Sequence, residues 1–69
     1  MYDLAYIIEK IEAAGYRVER APRDIPRASA LNHGGYEIFK PGAGVVAGFP
    51  YDFYAADLEE WARQQGLIP

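Results

Sequence analysis

Two runs of β-forming residues, Tyr36-Glu37-Ile38-Phe39-Lys40 and Val45-Val46-Ala47-Gly48-Phe49, flank Pro41-Gly42-Ala43-Gly44, and this pattern limits the folds open to the chain more than any other. Proline followed by glycine suits the centre of a type II turn: the ring of Pro41 presets the first dihedral, and Gly42 tolerates the positive φ needed next. The expectation is a β-hairpin, with Gly44 adding a bulge. On either side of it the hydrophobic period changes from two residues to about 3.6. Upstream, Leu4, Ile7, Ile8, Ile11 and Ala14 share one helical face, with Asp3 placed to cap the start and Gly15 to close the end. Downstream, Tyr54, Leu58, Trp61, Ala62 and Gln65 recur at the same spacing; Asp52 is the expected cap, Gly66 the stop, and Leu67 the residue that folds back on the last turn.

Tyr16-Arg17-Val18-Glu19-Arg20-Ala21 alternates large apolar with charged residues, which predicts a short strand with Tyr16 and Val18 inward. Pro22 ends it, and residues 22–33 have no firm period beyond a turn of helix around Arg27 to Leu31. The order helix, strand, hairpin, helix predicts an α+β two-layer sandwich, with two helices packed on one face of a small three-stranded sheet and residues 1–69 forming a single compact domain.

A chain of 69 residues buries only about 60% of its unfolded surface. With no cysteine it has no disulfide to compensate, which gives weight to self-association or a partner. Half the residues are hydrophobic and a quarter charged, the balance of a folded domain. No stretch approaches the roughly 18 apolar residues of a membrane span, and Met1-Tyr2-Asp3-Leu4 lacks the basic start of a secretory signal. The chain reads as a complete small cytoplasmic protein with no membrane association.

Chemistry is hard to assemble from these residues. A nucleophile, base and orienting acid would have to be Ser29, His33 and a carboxylate such as Asp24, four residues or more apart in a loop that does not hold them in register. One histidine and scattered carboxylates give neither zinc spacing nor a calcium loop, and Pro41-Gly42-Ala43-Gly44 lacks the lysine and hydroxyl of a phosphate-binding loop. Neither an enzyme nor a cofactor is expected.

Charge separates along the chain. Residues 1–15 carry Asp3, Glu9 and Glu12 against Lys10; residues 16–33 carry Arg17, Arg20, Arg23 and Arg27 against Glu19 and Asp24; residues 52–69 carry Asp52, Asp57, Glu59 and Glu60 against Arg63. The arginine segment supports an alternative, a small nucleic-acid-associated regulator, but Glu19 and Asp24 interrupt it and a net charge of −3 repels a polyanion, so direct nucleic-acid binding is disfavoured.

Six tyrosines are too many for so small an interior. Phe49 and Tyr54 are expected in the core and Tyr51 outside it, while Tyr6 lies about 200° from Leu4 on the helical wheel, with Tyr2 one turn earlier. Both are expected to face outward. The first function expected is therefore a small acidic, non-enzymatic protein-binding module: Tyr2, Tyr6 and Tyr51 supply contact area, and Asp57, Glu59 and Glu60 attract a protein partner with a basic surface. In general character, being tiny, acidic and without catalytic groups, the chain resembles phage-encoded inhibitors of host defence such as anti-CRISPR proteins. That resemblance implies carboxylates occupying the basic groove of a nucleic-acid-binding complex; no motif carries it and no residue role transfers from it. A further alternative is a self-associating structural subunit, a homodimer through Tyr2 and Tyr6.

Overall fold

A computed structural model of the chain describes residues 2–21 and 35–69. Helix α1 spans Leu4–Ala13, strands β1, β2 and β3 span Arg17–Arg20, Tyr36–Lys40 and Gly44–Ala47, and helix α2 spans Ala55–Gln64. This is the expected α+β order. The strands form an antiparallel sheet in the order β1-β2-β3, with Val18 opposite Ile38 and Ile38 opposite Ala47. Those three side chains point to one face, because alternate residues of a strand point the same way. Ile7 and Ile11 of α1, Leu58 and Ala62 of α2, and Ile68 close over Ile38 as one buried cluster. Burial of each of the large aliphatic side chains stabilises the fold by about 1.5–3 kcal/mol. Tyr16 and Trp61 meet edge to face beside the cluster, their ring centroids 5.1 Å apart, so the residue leading into β1 is tied to α2 through an aromatic pair.

The turn chemistry follows the sequence. Ala43 N–H donates to Lys40 O at 2.9 Å, and Gly42 takes φ +88°, as a type II turn requires. The bulge, however, is not at Gly44. Ile38 pairs with Ala47 while Phe39 pairs with Val45, so the extra residue is Val46 in β3. Both helices end as expected: Tyr16 N–H reaches Ile11 O and Leu67 N–H reaches Ala62 O, the six-to-one bonds that satisfy carbonyls left over at a helix end.

The helix starts differ from expectation. Asp3 occupies the cap position of α1 without a side-chain capping bond. The cap of α2 is Tyr54, not Asp52, and the carboxylate that serves it is Asp57, whose Oδ2 accepts the Tyr54 backbone N–H at 2.9 Å. A carboxylate three residues into a helix reaches back to the cap N–H, and its charge complements the helix dipole there.

Candidate functional site

The carboxylates of α2 divide according to their partners. Glu59 reaches the segment before α1: its Oε2 accepts Arg63 Nη2 at 2.9 Å and its Oε1 accepts the Tyr2 backbone N–H at 3.4 Å. The Arg63 hydrogen bond, against a weaker opposing effect of burial, holds its carboxyl below the ordinary value. Glu60 accepts Arg63 Nη1 and Gln64 Nε2 yet stays largely exposed, and Asp57 is exposed beside its capping bond. Glu59 is therefore occupied within the fold, while Asp57 and Glu60 still face solvent.

Tyr2 and Tyr6 do not face outward. They are half-buried, pack against the core cluster and stack on one another with ring centroids 5.1 Å apart; Lys10 Nζ lies 5.4 Å from the Tyr6 centroid. The helical wheel misplaces them because long side chains on a helix lean back toward its N-terminus, and Tyr2 precedes the helix altogether.

The exposed apolar residues are elsewhere. Phe49 is 73% exposed, Tyr54 45%, Val46 44% and Val45 38%, which corrects the expectation that Phe49 and Tyr54 belong to the core. The strand period gives out at Gly48, where φ is +80° and the chain turns back so that Asp52 N–H donates to Gly48 O. Phe53 then takes the inward place. It pairs with Tyr36 through two backbone bonds of 2.7 and 3.0 Å, and a Cβ on Gly48 would lie 2.9 Å from its ring. Tyr54, in extended backbone before α2, is outside the helical period. Tyr51, within the same turn, is half-buried with φ +60°, a conformation that non-glycine residues rarely adopt.

The resulting surface runs along the edge strand β3 and the turn after it, with β2 as the only strand paired to β3 among the described residues. One sequence signal marks it: residues 41–51 contain none of the chain's seven basic and ten acidic residues. Asp52 and Asp57 follow at once, and Glu60 lies one turn further along α2, so an uncharged stretch is bordered by carboxylates.

Among the described residues no group of three or more histidine, cysteine or carboxylate side chains could hold a metal ion, and no helix is long and apolar enough to cross a membrane. Asp24, Ser29 and His33, the arginines Arg23 and Arg27, and the expected turn of helix near Arg27 lie outside the described residues. Comparison with known proteins returns no matching family model, no similar curated protein and no similar solved structure.

Proposed function

We propose that this chain is a non-enzymatic protein-binding module whose contact surface is the β3 edge and the Phe49–Tyr54 turn. The observation that carries the reading is Phe49, 73% exposed on an uncharged stretch of a protein whose core already has its aromatic residues. Interfaces place aromatic anchors at the centre and polar groups at the rim, and a rim of one charge steers a partner of the other. Asp52, Asp57 and Glu60 are such a rim, so the partner has an apolar recess bordered by lysine or arginine. A nucleic-acid-binding assembly offers basic surface of this kind, and inhibition of one, in the manner of anti-CRISPR proteins, is the specific form of the proposal.

Recovery of partners from the native cells tests it. Phe49→Asp abolishes capture, and the double reversal Asp57→Lys with Glu60→Lys weakens it and removes its salt dependence, with unchanged circular dichroism in both cases. Full retention by Phe49→Asp overturns the proposal. The uncharged β3 edge also favours a second reading, pairing of two copies edge to edge. Sedimentation of the purified protein decides it, since a concentration-dependent dimer lost in Val46→Lys is required.

A further inference from the structure

The face of the sheet turned away from the helices carries Arg17 and Glu19 from β1, Glu37 and Phe39 from β2, and Val45 from β3. Glu19 and Glu37 are direct cross-strand partners. Their Cβ atoms are therefore about 5 Å apart, a spacing at which like charges destabilise a sheet. Glu37 is also the buried charged residue among those described, 7% exposed, and its Oε2 has no hydrogen-bond partner. Buried carboxylate oxygens are normally satisfied, and one left without a partner asks for an explanation.

Tyr51 joins this pair from the turn after β3. Its backbone favours the ionised form of the Glu37 carboxyl, and its phenol is near enough to both carboxylates for their charges to push its pKa up, after the larger effect of burial. Burial likewise pushes Glu37 up, with Glu19 adding to it. The other residues on this face do not neutralise Glu37: Val45 is apolar, and Arg17 forms no ion pair among the described residues. Two carboxylates face each other across β1 and β2 with Tyr51 nearby, and no ion pair among the described residues meets them.

We propose that Glu19, Glu37 and Tyr51 form a receptor for one guanidinium group, an arginine side chain of the protein partner. This inference rests on the protein-binding reading and adds to it the chemistry of one contact. A guanidinium keeps its charge at every relevant pH, sheds water more readily than an ammonium, and presents donors in a planar fork that matches opposed carboxylate oxygens. Phe39, two residues from Glu37 on the same face, supplies an aromatic flank for the cation. Glu37 Oε2 is closed to solvent, so the side chains around it must shift to admit the guanidinium. Tyr51 lies two residues after Phe49, so the receptor and the apolar contact surface meet at one turn.

The test is a titration of the full-length protein with N-acetyl-arginine amide, followed by NMR of the glutamate carboxyl carbons and the Tyr51 ring. Saturable shifts at Glu19, Glu37 and Tyr51 are expected, at least tenfold weaker in affinity in Glu37→Gln and in Glu19→Gln, and weaker with the lysine amide than with the arginine amide. The absence of saturable shifts at these residues, equal affinity in both glutamine variants, or equal affinity for the lysine amide overturns the receptor. Failure is separable from that of the contact surface. An unresponsive Glu37 with capture still dependent on Phe49 removes the receptor alone, whereas a responsive Glu37 with capture independent of Phe49 removes the contact surface.

Discussion

The helix layer and the β3 side of this molecule handle their side chains in opposite ways. Between the helices the groups find partners inside the chain: Glu59 binds Arg63 and the Tyr2 backbone, Tyr2 stacks on Tyr6, and Ile7, Ile11 and Leu58 are closed from water. On the β3 side Phe49, Val45 and Val46 are exposed and Tyr51 holds a positive φ, and on the adjoining outer face of β2 Glu37 Oε2 is buried without a partner. A marginally stable domain of this size gains little from such features on its own, which is why the proposed contact is placed on that side.

The largest test of this contrast is truncation on each side. Ile11→Ala and Ile38→Ala each remove a fully buried side chain and cost about 2–5 kcal/mol in urea unfolding, enough to leave little folded protein. Phe49→Ala changes stability by no more than about 0.5 kcal/mol, the range of ordinary surface substitutions. A cost at Phe49 comparable with that at Ile11 would return this ring to the core and break the contrast.

Gly48→Ala is next. It places a side chain at φ +80° with its Cβ 2.9 Å from the Phe53 ring and 3.0 Å from Tyr36 O. A loss of about 1–3 kcal/mol is expected, because the backbone and a ring that is itself packed must both move. Little change in the urea midpoint would show that the turn is not held by the Tyr36–Phe53 pairing.

Two glutamates sharpen the contrast through pH. Glu37 is raised above the ordinary value of 4.5 in the fold, so its unfavourable contribution is absent below 4.5 and develops as the pH rises toward the folded value. Glu59 is lowered below 4.5, so its favourable contribution is present above 4.5 and is lost as the pH falls through the folded value. In melting curves recorded against pH, Glu37→Gln therefore gains on the parent as the pH climbs above 4.5, whereas Glu59→Gln flattens the acid-side loss. The Glu59 effect is the smallest expected, since its partner Arg63 is 44% exposed and such pairs are screened by water and salt.

How far the sequence could be read depends on where its periods end. The two helical faces, the Pro41-Gly42 turn and the element order were legible because apolar spacing and turn chemistry agree there. Phe49 and Tyr54 were misplaced because each lies just beyond a period, Phe49 after the turn at Gly48 and Tyr54 before the first residue of α2. The burial of Glu37 was not legible in the sequence, where it is one charged residue within a β-forming run. Its influence from Tyr51, fourteen positions away, is tertiary and has no local signature. The missing charges of residues 41–51 were the one signal in the sequence for the proposed contact surface, and a total charge hides them.

The most direct test of the contact surface is photocrosslinking. A benzophenone amino acid is placed at position 49 in one protein and at the exposed position 13 of α1 in another, and each is irradiated in an extract of the native cells. The account predicts a discrete crosslinked partner from position 49 and none from position 13. The same partner crosslinked from position 13 alone, or equally from both, would contradict it.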